Sequence, residues 1–146
     1  MRVVKLQKEH LGDVALLEAL CFCEPWSEQA LKILLGEGGV AFACLDEQGT
    51  PVAYVGMLTV LDEGQITNVA THPAHRRMGL ADALLSALLD EARARSLATV
   101  SLEVRESNAA AIALYEKHGF AVVGKRNNFY KNPREHAFVM LCRLAM

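Results

Sequence analysis

A strand, a long helix and a second strand follow one another in the middle of the chain, and this order constrains the fold more than any other feature. Residues 65–71 read as a strand, and after a short loop the leucines of residues 79–95 recur at helical spacing. Residues 98–105 then alternate between apolar and polar side chains. This βαβ pattern predicts two parallel strands joined by a right-handed crossover.

The segments on either side of this unit predict antiparallel strands and further helices, because apolar or alternating runs lie between turn residues. The predicted strands are 2–6, 40–45, 51–60, 120–125 and 137–144, and the predicted helices are 9–20, 28–36 and 107–117. In the first helix the apolar face is predicted to include Leu17 and Leu20, and Ser27 is the expected N-cap of the second. A turn is predicted at 62–64 and a polar loop at 126–135. We therefore expect one mixed α/β domain over residues 1–146.

Composition and charge narrow the class of protein. Hydrophobic residues make up 52% of the 146 residues and charged residues 22%, which is typical of a globular chain. The net charge of −2 creates no field that would attract nucleic acid or an anionic membrane. No apolar run reaches the roughly 20 residues that cross a bilayer, and the first residues lack the apolar core of a signal peptide. We expect a cytoplasmic protein that binds neither nucleic acid nor a membrane.

The four cysteines are spread through apolar segments. Cys21 and Cys23 stand too close together for the usual zinc-binding pair, and no second pair of Cys or His residues follows them. We therefore expect buried free thiols in a reducing compartment and no metal site.

The loop that enters the long helix is a candidate anion site. Helix N-termini leave backbone N–H groups unpaired and carry partial positive charge. Gly79 lets the backbone approach a ligand closely, Ala81 keeps the next turn small, and Arg76 and Arg77 add positive charge. The chain has neither G-x-x-x-x-G-K-[ST] nor a strand followed by G-x-G-x-x-G, which argues against a nucleotide-hydrolysing or dinucleotide-binding enzyme.

The segment from Val69 to Ala81 resembles the core motif of the GNAT superfamily of N-acetyltransferases, Q/R-x-x-G-x-G/A. A closer resemblance, to the RimI-type subfamily, is carried by residues 24–27, 102–120 and 126–130. His72 departs from the usual Asp, and Ala81 from the more common Gly. The resemblance implies the GNAT fold, with a mostly antiparallel central sheet, one parallel βαβ unit at the coenzyme A site and helices on both faces. It also implies acetyl-CoA as co-substrate and the N-terminal alanine of a small-subunit ribosomal protein as acceptor.

The resemblance further implies which residues hold the coenzyme. The backbone amides of the loop would bind the pyrophosphate, and the strand before it would pair with the pantetheine arm. The implied set is Val69, Ala70, Thr71, Arg76, Arg77, Met78, Gly79, Leu80, Ala81, Asp82, Asn108 and Tyr115. Asn108 is also a candidate helix cap, and it can fill both roles.

Glu103 and Tyr115 are the candidate reacting groups. Glu103 lies near the end of a strand parallel to the one that feeds the loop, where ligands bind in open α/β sheets. By spacing alone it reads as a solvated strand glutamate, and Tyr115 as a core residue. The resemblance instead makes Glu103 the general base and Tyr115 the general acid that protonates the coenzyme A thiolate.

Two aromatic residues are candidates for contact with the acceptor. Trp26 follows a proline between the first two helices, and Tyr130 belongs to the predicted polar loop. Each can either flank an extended peptide or fill the core.

The acceptor itself leaves several hypotheses open. An α-amine has a pKa of about 7.7–8.0 and a lysine about 10.4, so an N-terminal amine is the easier substrate for a glutamate base. Burial can lower a lysine pKa, so acetylation of lysine or of a small-molecule amine is the alternative. A non-catalytic acyl-CoA-binding module is the second alternative, although base, acid and loop occur together. The resemblance favours a monomer.

Overall fold

All seven strands belong to one sheet in the computed structural model, which describes residues 1–144. The strand order is β1-β2-β3-β4-β5-β7-β6, and only β4 and β5 are parallel. The strands are β1 (Arg2–Lys5), β2 (Gly39–Leu45), β3 (Pro51–Val60), β4 (Glu63–Thr71), β5 (Thr99–Arg105), β6 (Ala121–Lys131) and β7 (Arg134–Arg143). The helices are α1 (Leu11–Cys21), α2 (Glu28–Leu31), α3 (Leu80–Ala94) and α4 (Ala109–Lys117). The mixed, mostly antiparallel architecture is confirmed.

The sheet has one hydrophobic cluster on each face, so the prediction of helices on both faces is also confirmed. The α3-side cluster combines the buried leucines of α3 with the inward residues of β5 and with Tyr115 of α4. The α1-side cluster combines Leu11, Val14 and Leu17 with Tyr54 of β3 and Ala70 of β4. Each cluster removes a large apolar area from water, which is the main favourable term in folding.

The βαβ unit forms as expected, but its two strands are paired over a short stretch. Glu63, Gly64 and Gln65 of β4 lie beside Thr99, Val100 and Ser101 of β5. Beyond these positions, among the described residues, β4 pairs with β3 alone and β5 pairs with β7 alone. The carboxyl-terminal halves of β4 and β5 therefore diverge and leave a gap in the sheet.

A β-bulge in β4 decides which side chains face α1. Gly56 of β3 lies opposite Asn68 and Met57 lies opposite Ile66, so Thr67 is the extra residue. Ile66 points into the α3-side cluster, whereas Asn68 is buried and Ala70 lies in the α1-side cluster. Without the bulge, residues two apart would face the same side.

The predicted polar loop at 126–135 is wrong, because this segment is the end of β6 and the start of β7. These strands pair as far as Tyr130 with Glu135 and Lys131 with Arg134, across an irregularity between Arg126 and Tyr130. β6 is an exposed edge strand, so its residues show little of the apolar alternation that marks a buried strand. Backbone pairing with β7 forms the strand without that pattern.

Smaller corrections concern element boundaries and burial. β4 begins at Glu63, because the turn falls one step earlier, at Leu61, which has a positive φ of 55°. The second helix continues as a 3-10 turn from Lys32 to Leu35. Leu20 was predicted on the buried face of α1 but is 59% exposed, and Glu18 is buried in that region. Ser27 caps α2 as predicted, accepting a hydrogen bond from the N–H of Ala30.

The cysteines are free, and Cys44 and Cys142 are buried as predicted. Cys23, however, is exposed and Cys21 is half-buried, because both come after Glu18, the last buried residue of α1. Among residues 1–144, no helix combines the length and the apolar character that crossing a bilayer requires.

Candidate active site

The gap between β4 and β5 lies at the carboxyl ends of the two parallel strands. In an open α/β sheet this is the place where ligands bind. The β4 residues 66–71 have β3 on one side and, among the described residues, no strand on the other. Such a strand edge presents N–H and C=O groups to an extended ligand.

The predicted coenzyme segment Val69–Thr71 forms the β4 side of this gap. Val69 and Thr71 are half-buried, and Val69 packs against the α3-side cluster. Ala70 points to the opposite face and is buried in the α1-side cluster. The backbone of this segment is therefore anchored from both faces of the sheet.

The loop from Arg76 to Ala81 connects β4 to α3 at the open end of the gap. Arg77 and Gly79 have positive φ values of 65° and 76°, and this conformation turns the chain into the helix. The first α-helical bond of α3 runs from the N–H of Ala83 to the carbonyl of Gly79, 3.1 Å away. The N–H groups before Ala83 lie in the first turn of the helix, where anions bind.

The side chains of the loop divide into two groups. Arg77 and Met78 are exposed, and Leu80 is buried beneath the loop. Arg76 turns back toward β4, where its Nε lies 3.4 Å from the carbonyl oxygen of Thr71. Arg77 is therefore the arginine of the pair that extends toward solvent without such a contact.

Asp82 was predicted among the coenzyme-binding residues, and its side chain joins α3 to the end of α4. Its carboxylate accepts a hydrogen bond from Lys117 Nζ at 3.0 Å and lies 2.6 Å from His118 Nε2. These contacts, Lys117 first and His118 second, hold the pKa of Asp82 below its usual value. The backbone of Asp82 lies in the first turn of α3, so a contact with the coenzyme would use its N–H.

Glu103 lies on β5 at the point where the gap opens. Leu102 and Val104 point into the α3-side cluster, so Glu103 faces the α1 side. Gln65, at the last paired position of β4, donates from Nε2 to both carboxylate oxygens, at 3.3 and 3.2 Å. Arg126 Nε lies 3.6 Å from the same carboxylate, whose side chain is 12% exposed. Glu103 is thus held at the gap by two weak contacts.

Tyr115 lies on α4 and is buried in the α3-side cluster, with its ring 5.9 Å from that of Phe120. Burial, and to a lesser degree the neighbouring Tyr130, raise the pKa of Tyr115 to about 12. Its hydroxyl group is therefore protonated at neutral pH. Asn108 caps α4, where its side-chain oxygen accepts from the N–H of Ala111 at 3.2 Å.

Tyr130 and Trp26 occupy partly buried positions. The guanidinium of Arg105 lies 4.3 Å from the centre of the Tyr130 ring. Burial raises the pKa of Tyr130, while Arg105 opposes that shift. Trp26 packs against the α1-side cluster and lines an open surface groove. That groove is formed by Pro25, Trp26, Ser27, Gln29, Ala30 and Ile33.

Three features of this region were missed from the sequence. Gln65 holds Glu103, but as the first residue of the predicted strand 65–71 it gave no signal, because the sequence does not show the register of β4 against β5. Arg105 holds the tip of the β6–β7 hairpin through Glu135 Oε1 at 3.1 Å and the Pro133 carbonyl at 2.9 Å. The third feature is a buried polar cluster around Glu18, for which helical periodicity gives no signal.

A metal site is not supported by the side chains present. Within residues 1–144, His, Cys, Asp and Glu form no group of three or more that could hold a metal ion.

Comparison with known proteins supports an acetyl-transfer site. The model of the acetyltransferase (GNAT) family matches residues 11–120. The chain belongs to the acetyltransferase (GNAT) family. As a member of this family it is an N-acetyltransferase that takes its acetyl group from acetyl-CoA.

Two curated relatives align with most of this chain. It is 43% identical over 124 residues to the [ribosomal protein bS18]-alanine N-acetyltransferase of Escherichia coli K12, covering 84% of this chain and 83% of that protein. It is 32% identical over 139 residues to the putative [ribosomal protein bS18]-alanine N-acetyltransferase of Bacillus subtilis, covering 94% and 92%. The crystal structure of the ribosomal-protein-S18-alanine N-acetyltransferase from E. coli superimposes with a TM-score of 0.91 at 37% identity, covering 99% and 94%.

Proposed function

We propose that this GNAT enzyme acetylates the α-amine of a protein whose first residue is alanine, and that this protein is ribosomal protein bS18. The names of its relatives supply the acceptor. One observation carries the chemistry: Glu103 faces the α1 side of the sheet at the β4–β5 gap, and the protonated Tyr115 belongs to the cluster on the opposite face. A donor and an acceptor entering from opposite faces would meet there.

Acetyl-CoA binds along β4 and the loop that follows it. The N–H groups of the first turn of α3 and the exposed Arg77 hold the pyrophosphate, since both favour negative charge. The pantetheine arm adds to the free edge of β4 at Val69–Thr71, as an extra strand would. The Nδ2 group of Asn108 is available to the coenzyme, because the helix cap uses only its oxygen.

The acceptor amine enters from the α1 side, between Trp26 and Tyr130. Glu103, acting directly or through one water, accepts a proton from the amine as the nitrogen attacks the thioester carbonyl. The tetrahedral intermediate collapses, the C–S bond breaks, and Tyr115 protonates the departing thiolate. The products are the acetylated N-terminus and free coenzyme A, and the proton on Glu103 returns to solvent as Tyr115 is reprotonated.

Protein N-termini fit this site better than lysine side chains because of the pKa of the amine. At pH 7 roughly a tenth of α-amines are neutral, against well under a thousandth of lysines. Glu103, whose carboxylate has within residues 1–144 only an amide at 3.3 Å and an arginine at 3.6 Å as partners, can accept a proton from an amine that is already partly neutral.

A pair of peptides tests this proposal. One begins with a free alanine and contains a lysine, and its twin has the same sequence with a blocked N-terminus. We expect acetylation of the first peptide at its α-amine and none of the second, measured by mass spectrometry. Acetylation of the twin at lysine would replace the proposal with the lysine alternative. Tight binding of acetyl-CoA with transfer to neither peptide would favour a binding module.

The remaining expectations follow from this acceptor. A ribosomal protein substrate implies action in the cytoplasm, and we propose that residues 1–146 act as one catalytic domain and as a monomer. The shared sheet supports the single domain, since every strand from β1 to β7 pairs with a neighbour. The absence of contact with nucleic acid and membranes stays a prediction.

A further inference from the structure

A second glutamate, Glu18, is buried on the face of the sheet that is opposite α3. It is 1% exposed, and its neighbours Tyr54 and Asn68 are 0% and 6% exposed. A buried carboxyl group is costly unless hydrogen bonds replace the water that it loses. The mechanism proposed above does not use these three residues.

The carboxyl group of Glu18 is an acceptor in all its hydrogen bonds. Oε2 accepts from the Tyr54 hydroxyl at 2.5 Å and from Asn68 Nδ2 at 3.3 Å. Oε1 accepts from the backbone N–H of Trp26 at 2.8 Å. The carboxyl group therefore joins α1, β3 and β4 to the segment that follows α1.

Asn68 reaches Glu18 because of the bulge in β4. The extra residue Thr67 turns Asn68 toward α1, and the Thr67 hydroxyl donates to the carbonyl of Gly56 at 3.3 Å. Asn68 is also the residue directly before Val69, where the proposed pantetheine edge begins. Glu18 is thus tied to the strand that borders the gap.

The backbone of Trp26 lies beyond the end of α1 and is hydrogen-bonded to the side chain of Glu18. Residues 22–27 connect α1 to α2, and most of them are exposed. The backbone carbonyl of Glu18 accepts a hydrogen bond from the N–H of Phe22 at the end of α1. The Glu18 side chain accepts another from the N–H of Trp26. One residue therefore fixes both ends of the turn that presents Pro25 and Trp26.

We propose that Glu18 is a positioning residue for the acceptor: it holds the Pro25–Trp26 turn in register with the β4–β5 gap through Tyr54 and Asn68. This inference rests on the proposed function, in which Trp26 contacts the acceptor. Glu18 touches neither reacting group, so its removal changes acceptor binding and leaves the donor site as it is.

Glu18→Gln is the test. The amide has one acceptor oxygen where the carboxylate has two, and its NH2 group competes with the donors of Tyr54 and Asn68. We expect the KM of an alanine-first peptide to rise about tenfold, the size of one lost buried hydrogen bond, while the Kd of acetyl-CoA stays at the wild-type value. Trp26 is the only tryptophan in the chain, so its fluorescence reports on the turn. Quenching of that fluorescence by acrylamide should increase.

Leu11→Ala is the matched control. Leu11 is buried at the other end of α1, about 10 Å from Glu18 along the helix axis. Its truncation leaves a cavity and lowers Tm. At a temperature where both variants are folded, we expect Leu11→Ala to keep the wild-type peptide KM and Trp26 quenching.

Three results would overturn the inference. They are an unchanged peptide KM in Glu18→Gln, an equal rise in Leu11→Ala, and a rise in KM without a change in Trp26 quenching. If Glu18→Gln does not fold, Tyr54→Phe takes its place. This variant removes one donor to Glu18 and keeps the hydrogen bond to Trp26, so the peptide KM and the Trp26 quenching should rise by less than is expected for Glu18→Gln. If wild-type enzyme acetylates only lysine, the proposed function fails, and the same KM comparison on that acceptor still decides the role of Glu18.

Discussion

Glu18 and Glu103 face the same side of the sheet, and their surroundings differ in one decisive respect. Glu18 is sealed in, with three donors at 2.5, 2.8 and 3.3 Å on its two oxygens. Glu103 borders the gap and has an amide at 3.2–3.3 Å and an arginine at 3.6 Å. The first carboxyl group has its hydrogen-bonding capacity committed to the protein, and the second keeps capacity for a ligand.

The difference shows how one residue type serves structure in one place and chemistry in another. A buried acceptor with several hydrogen bonds resists a change of partner, because each lost bond leaves an unpaired donor. A general base must accept a proton during the reaction and release it afterwards. Loose contacts beside an opening suit the second role, and they predict that substitutions at the two positions separate a loss of stability from a loss of kcat.

Glu103→Gln should have the largest effect on the reaction. Loss of a general base lowers kcat by about 10²–10⁴-fold. Because Gln fits the same space and Gln65 can still reach it, the Tm and the Kd of acetyl-CoA should stay within error of wild type. Steady-state kinetics measures the fall in kcat, and calorimetry measures the Tm and the Kd of acetyl-CoA.

A neighbouring glutamate provides the control for that experiment. Glu106 is paired with Lys125 at 3.2 Å, and its side chain is 32% exposed. Glu106→Gln removes the same charge close to the gap without removing the proposed base, so its kcat should stay within about threefold of wild type. Turnover by Glu103→Gln at the wild-type rate would remove Glu103 from the mechanism.

Glu18→Ala should have the largest effect on stability. It leaves the donors of Tyr54, Asn68 and Trp26 unpaired in the interior, which predicts a loss of about 3 kcal/mol in the free energy of unfolding. Urea denaturation measures this loss. Glu116→Ala, on the exposed side of α4, should change the free energy by less than about 0.5 kcal/mol. Equal effects at the two positions would contradict a structural role for the buried carboxyl group.

Tyr115→Phe should lower kcat by about 10²-fold, the lower end of the range for general acid–base catalysis, and leave the packing against Phe120 intact. The pH profile gives a second check. Burial raises the pKa of Tyr115 to about 12, so the tyrosine keeps its proton up to about pH 10. Wild-type kcat should therefore show no alkaline decline caused by Tyr115 below about pH 10. The raised pKa also means that any contribution of Tyr115 to stability is present below pH 10 and lost as pH rises through 12.

The strand–helix–strand unit, the loop and the position of Glu103 were predictable because their signals are local. Leucines at helical spacing and the alternation of β5 report burial within one element. Gly79 at the start of α3 has a positive φ of 76°, which favours glycine, so the turn is also visible in the sequence.

The Glu18 cluster was not predictable, because its partners are distant in sequence. Tyr54 is 36 positions away and Asn68 is 50 positions away, and the bulge that turns Asn68 toward α1 has no sequence signal of its own. Helical spacing instead favoured Leu20, which is exposed. The hairpin of β6 and β7 was missed for the opposite reason: its residues are exposed, so backbone pairing forms a strand that hydrophobic periodicity does not mark.

Arg126→Gln should have the smallest effect, and it measures how loosely Glu103 is held. Arg126 is 58% exposed and lies 3.6 Å from the Glu103 carboxylate, so solvent screens most of their attraction. We expect kcat/KM to change by less than about threefold, and added salt to reduce even that difference. A change as large as that of Glu103→Gln would mean that the arginine and the glutamate act as one tightly coupled pair. Glu103 would then be held as firmly as Glu18, and the two carboxyl groups would differ only in their access to the gap.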